Sequence, residues 1–152
     1  MTAIAREEPL RLRFEDAEDL AALSIHVQDA ILRVGDMRHE PAQRRFGLML
    51  NRFRWERAGG GRFRLRPDER VHAVLHFDGV LAVKAVGIPQ ARKEDLLVLL
   101  AVTFTPGELP AGEVRLDFAG GACLSLTVEC LEGALIDQGE PWTTPNRPRH
   151  QV

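Results

Sequence analysis

The chain has 152 residues, 45% of them hydrophobic and 28% charged, with a formal net charge of −2, which suits one domain with a real core and excludes a disordered chain. The opening MTAIAREEPL has no basic start before an apolar run, and the longest apolar run, Leu96 to Val102, is far too short to cross a bilayer, so neither a signal peptide nor a membrane segment is expected. Two cysteines, Cys123 and Cys130, make no disulfide framework, and a cytoplasmic location is expected.

Leu10 to Phe14 alternates apolar and charged residues and predicts a first strand. Glu15 or Asp16 can cap a helix over Asp16 to Val27, with Glu18 and Asp19 near its positive end and Leu20, Leu23 and Val27 on one face. From Ala30 the period changes to two. This predicts a strand to His39, a turn at Glu40-Pro41-Ala42-Gln43 and a return strand from Arg44. On that strand Phe46, Leu48 and Leu50 share one face, while Phe53 and Trp55 share the other, so a β-bulge is expected near Asn51. Gly59, Gly60 and Gly61 then make a flexible connection.

Two hairpins are predicted next. Val71 to Phe77 meets Asp78-Gly79 and returns through Val80 to Ile88, and Val114 to Phe118 meets Ala119-Gly120-Gly121 and returns through Ala122 to Ile136. Between them, Leu96 to Thr105 reads as a strand covered on both faces, with a helix over Glu94 to Leu100 as the competing reading. A bend is expected near Cys130, Leu131 and Gly133. Both hairpins carry Leu-x-Phe-x-Gly, at Leu75/Phe77/Gly79 and Leu116/Phe118/Gly120, which raises a duplicated three-strand unit as an option. One globular domain is expected over residues 1–138. Residues 139–152 hold three prolines and read as an extended arm, anchored by Trp142. The fold class expected is α+β: about seven or eight largely antiparallel strands in a strongly curved sheet or two packed sheets, with one N-terminal helix.

Several constellations bear on function. His72 and His76 have metal-ligand spacing on a helix, but on a strand they would stand roughly 13 Å apart, so no metal and no cofactor is expected. His26, Asp29, Asp36 and His39 flank the helix exit and the first hairpin and are the weak candidates for acid–base work, although no nucleophile motif accompanies them. On one strand Cys123 and Cys130 would point to opposite faces; Cys130 reads as buried, and Cys123 lacks the neighbouring charge that would activate a thiol. The most informative stretch is basic. Residues 44–70 carry nine arginines against Glu56, Asp68 and Glu69, inside an otherwise acidic chain. Arg52, Arg54, Arg62, Arg64 and Arg66 could form a polyanion-binding face beside Phe53 and Trp55, or could pair internally with the acidic remainder.

Gln28-Asp29-Ala30, Val34-Gly35-Asp36, Arg44-Arg45-Phe46, Leu50-Asn51-Arg52-Phe53, Trp55-Glu56, Leu75-His76-Phe77-Asp78, Phe118-Ala119-Gly120-Gly121, Glu129-Cys130 and Arg147-Pro148-Arg149-His150 together resemble a small alphaproteobacterial family catalogued only as a domain of unknown function. The resemblance covers residues 10–150. It implies a bacterial, cytoplasmic, single-domain protein and transfers no catalytic or binding residue. Three functions stay open. The first is a non-catalytic binding or assembly module with a protein partner or another copy of itself. The second is an RNA- or polyanion-binding protein using residues 52–70, and the third an enzyme with a site near His26, Asp29, Asp36 and His39. The first is favoured, because no chemical motif is present and unpaired sheet edges need managing.

Overall fold

Asp16 starts the one α-helix among the described residues, which in this computed structural model are 9–57 and 68–145. The backbone of Asp16 is extended, and its carboxylate accepts the amide of Asp19 at 2.7 Å, satisfying one of the orphan donors of a first turn. The helix, α1, spans Ala17–His26 and buries Leu20 and Leu23. Its bounds lie within one residue of those expected at each end.

Ten strands accompany it: β1 (Arg11–Phe14), β2 (Ala30–Arg33), β3 (Met37–Glu40), β4 (Arg45–Phe53), β5 (Glu69–Asp78), β6 (Val80–Val86), β7 (Leu96–Pro106), β8 (Gly112–Phe118), β9 (Cys123–Val128) and β10 (Gly133–Thr143). They pair antiparallel in the order β1-β10-β5-β4-β2-β7-β8-β9-β6, with β3 paired to β4 off this path. The fold is α+β and mostly antiparallel, but the sheet has ten strands rather than seven or eight, and it is one sheet bent at a single junction rather than strongly curled throughout. The additional strands come from interruptions. A 3-10 turn at Val34–Asp36 divides the expected strand from Ala30 into β2 and β3. Residues 129–132 divide the expected last strand into β9 and β10. At the first break Gly35 lies so close to Lys93 that an added Cβ would stand 3.0 Å from the Cβ of Lys93.

The sheet changes direction at one junction. β2 and β4 meet through a single residue pair, Ile31 and Asn51. β5 and β6 stand at the third and ninth places of the order, roughly 29 Å apart if the sheet were flat. Yet only Gly79 separates them in the chain. The half containing β4, β5 and β10 therefore turns its inner face towards the half containing β7, β8 and β9. One apolar core results, to which Phe14, Leu23, Phe46, Leu75, Leu99 and Leu116 all belong.

Five local expectations are corrected. Gly79 makes a tight reversal, with φ of +66°, but Asp78-Gly79 is not a hairpin turn: β5 pairs with β4 and β10, and β6 with β9. Ala119-Gly120-Gly121 does join paired strands, β8 and β9, so the two Leu-x-Phe-x-Gly segments are not equivalent units. β7 is a strand covered on one face only, with Leu97 and Leu99 buried and Leu96 63% exposed. β4 has no bulge at Asn51, because its register with β5 runs unbroken from Arg45 to Phe53. Finally, the segment expected as an arm begins inside β10, where Trp142 pairs with Arg70 beyond a register shift after Gln138. Among the described residues β1 flanks β10 only from Gly133 to Ile136, so none of them needs the donor that Pro141 lacks.

Candidate functional site

Arg52 continues the inward face of Phe46, Leu48 and Leu50 and is completely buried. A buried guanidinium needs compensating charge. Asp137 of β10 supplies it in a bidentate pair, Nε to Oδ1 and Nη2 to Oδ2, both 2.8 Å. Glu56, in the 3-10 turn after β4, accepts from Nη1 at 3.0 Å and from Nη2 at 2.7 Å. Asp137 also accepts the amide of Leu10 at 3.0 Å, tying in the chain before β1. Burial lowers the pKa of Arg52, but its hydrogen bonds to Asp137 and Glu56 outweigh this and raise it. Burial works against the charge of Glu56 as well. The contact from His26 and the hydrogen bonds and charge of Arg52 nevertheless hold its carboxyl well below the usual carboxylate range.

Arg54 is also buried and pairs with Glu69 at 3.2 Å. Arg70 donates to Asn51 Oδ1 at 2.6 Å and lies over the Phe53 ring, 5.9 Å from its centroid. Phe53 is buried, and the Trp55 indole N–H is spent on the carbonyl of Gln28 at 3.0 Å. Arg52 and Arg54 therefore face carboxylates inside the protein rather than a polyanion outside it, and the two aromatics are not an open stacking platform. Arg62, Arg64 and Arg66 lie outside the described residues. A charged residue standing in phase with a buried apolar face on both β4 and β10 is the signal that would have found the Arg52–Asp137 pair.

The weak acid–base candidates divide among separate surroundings. His26 ends α1, with Nδ1 3.5 Å from Oε2 of Glu56. Asp29 turns the chain after the helix with φ of +60°, and its amide donates to the carbonyl of Leu99 at 2.7 Å. Asp36 lines a shallow groove with Arg33, Asn51 and His72. His39 lies on β3, its ring 6.5 Å from that of Phe46. His72 and His76 both lie on β5; the His72 ring lies tilted against that of Trp142, centroids 4.8 Å apart, and Nδ1 of His76 stands 3.5 Å from Asp78. Among the described residues no group of three or more His, Cys, Asp or Glu could hold a metal ion. Cys123 and Cys130 are free thiols, Cys123 buried on β9 and Cys130 half-buried in the turn after it. Burial and the carboxylates of Glu132, Glu129 and Asp78 push the Cys130 thiol up.

A second feature combines distant segments. A cavity of about 530 Å³ lies between β3 and β6, with Met37, Phe46, Val83, Ala85, Ile88 and Leu124 among its apolar lining. Arg38, His39 and Lys93 also line it, and among the described residues no carboxylate does. Among the described residues both strands are edges: β3 pairs only with β4, and β6 only with β9. Backbone hydrogen bonds bracket the slot. At one end the Val80 amide donates to Arg44 at 2.8 Å, and at the other the Gly35 amide donates to Lys93 at 2.9 Å. The start of β6 thus lies by the end of β3, and the two edges run in opposite directions. Met37, Val83, Ala85 and Ile88 are only partly buried. No single segment announces this slot, since its walls come from three parts of the chain.

No curated protein sequence and no solved structure matches the chain. No helix among the described residues is long and apolar enough to cross a membrane. A family model described as a protein of unknown function, DUF2948, matches residues 10–150. The match covers the helix, all ten strands, the buried arginine network and both walls of the slot, and the chain belongs to that family.

Proposed function

We propose that the protein is a non-catalytic binding module whose partner enters the slot between β3 and β6. The observation that carries this reading is the open slot itself: half-buried Met37, Val83, Ala85 and Ile88 lie between two strands whose facing edges no described strand pairs. Apolar side chains left partly wet beside unpaired backbone are what a binding surface presents before its partner arrives. The charged groups best placed for chemistry, Arg52, Glu56 and Asp137, are engaged with one another.

A pull-down from native lysate, with and without nuclease, tests the reading when wild type is compared with Ala85→Trp, which fills the slot. Protein recovered in the presence of nuclease and lost from Ala85→Trp is the expected result. Recovery that ignores Ala85→Trp would sink it. Recovery abolished by nuclease alone would favour the RNA or polyanion alternative, which now depends on Arg62, Arg64 and Arg66.

A further inference from the structure

We infer that the occupant of the slot is an extended peptide segment, alternately apolar and acidic, which adds as a strand antiparallel to β6. The inference rests on the binding-module reading and names the partner's chemistry. Three strands stand at the margins of the sheet, and two of them are guarded. β1 has four residues with Arg11 and Arg13 among them, and β3 has four with Arg38 and Glu40. Short length and charge are the usual protection of an edge against unwanted pairing. β6 is different. It has seven residues with Lys84 its one charge, and Leu81 and Val86 are 52% and 50% exposed. A register shift at its start, between Val80 and Ala82, is its other guard, and pairing with β9 is regular from Ala82 to Val86. Apart from the bond from Val80 to Arg44, no backbone group of β6 bonds to any described strand other than β9.

The slot selects among occupants. A second folded copy would bring an edge strand backed by its own sheet, whereas this edge faces β3 across a cavity that the Val80–Arg44 and Gly35–Lys93 backbone bonds bracket at its ends. A single extended segment needs room for one strand only. Lying antiparallel to β6, it would run parallel to β3 and place every second side chain on Met37, Phe46, Val83 and Ala85. The intervening side chains would point outwards, where Arg38 and Lys93 stand exposed. Neither has a carboxylate partner among the described residues, whereas Arg33, Arg44 and Arg45 pair with Glu94, Glu129 and Asp78. Among the described residues that line the slot there are basic side chains and no acidic one, Glu40 of β3 lying outside the lining, which calls for Asp or Glu in the incoming strand.

The test uses the full chain and four probes: acetyl-Glu-Val-Glu-Ile-Glu-Val-amide, the same peptide N-methylated at alternate residues, its Lys-for-Glu counterpart, and decanoate. Amide spectra and hydrogen exchange of Val83, Lys84 and Ala85 give the readout. The acidic peptide should shift these amides and slow their exchange. N-methylation should weaken binding about tenfold or more, since it removes backbone donors that strand addition uses, and the Lys peptide should not bind. Arg38→Gln with Lys93→Gln, both exposed, should weaken the acidic peptide about tenfold with an unchanged melting curve, which keeps the test sound even if Ala85→Trp misfolds. If the N-methylated peptide or decanoate binds as tightly at the same amides, strand addition is overturned while the slot remains a binding site. If no probe perturbs these amides, the proposal also fails, and the fate of the binding-module reading is then decided by the Ala85→Trp pull-down.

Discussion

Arg52 shows how far a single charge can organise a β core. It has no contact with water, and its two carboxylate partners come from residues 4 and 85 positions away. Removing it would leave the buried Asp137 carboxylate without its guanidinium and Glu56 with the longer contacts to His26 at 3.5 Å and to Arg54 at 3.8 Å, so Arg52→Ala should cost about 3 to 5 kcal/mol. A urea titration measures this, and a loss under about 1 kcal/mol would mean that water takes over the role of the guanidinium. Glu56 makes the same network sensitive to acid. Its folded-state pKa lies below its unfolded one, so its stabilising contribution is fully present above the unfolded carboxylate range and is lost as pH falls towards the depressed folded value. Wild type should therefore lose stability steadily below about pH 5. Glu56→Gln, less stable at neutral pH, should show a flatter acid limb, and parallel acid limbs for the two proteins would contradict the assignment. Arg52 also marks where reading by residue type fails. The rule that charge faces outwards made the inward phase of β4 look as though it ended at Leu50, when it continued through an arginine neutralised from another strand.

Elements whose signals are local were legible in the sequence. The Asp16 cap, the Leu20 and Leu23 face, the Pro41 turn and the Ala119-Gly120-Gly121 hairpin all depend on residues within a few positions of one another. Asp78-Gly79 misled because turn chemistry specifies a chain reversal and not the ladder that each arm joins. The tail misled through its prolines, since Pro141 is tolerated on the stretch of β10 that β1 does not reach. Trp142 there is half-buried against His72, and Trp142→Ala should cost about 1 to 2 kcal/mol from lost apolar burial. An unchanged melting curve would show the end of β10 to be dispensable. Gly133 is a stricter position. An added Cβ would overlap the carbonyl of His76 and the ring of Phe14, so Gly133→Ala should destabilise by more than Trp142→Ala in the same assay.

The molecule as a whole is two half-sheets with one interior. A single residue pair, Ile31 and Asn51, joins them through the ladder, and Gly79 joins them through the chain, but the apolar core is common to both. Shared burial should make unfolding one cooperative event. Trp55 and Trp142 both lie in the half built on β4 and β10, so their fluorescence reports that half while far-ultraviolet circular dichroism reports both. The two probes should give coincident urea transitions, and separated midpoints would mean that the halves come apart independently. The slot belongs to this scale as well. It exists because β3 and β6 close one side of the molecule at their ends only, a relation that no window of sequence contains.

The pairing of β1 with β10 has a consequence for synthesis. Among the described strands β1 pairs with no other, and β10 is the last of the ten to be translated. At typical ribosomal speeds, on the order of ten seconds separate the two. Throughout that interval β1 waits with nothing to pair with, one side of β5 is uncovered, and Arg52 has yet to meet Asp137. The nascent chain is then a client for whatever shields exposed strands in the cell, and the yield of folded protein turns on how soon β10 is delivered.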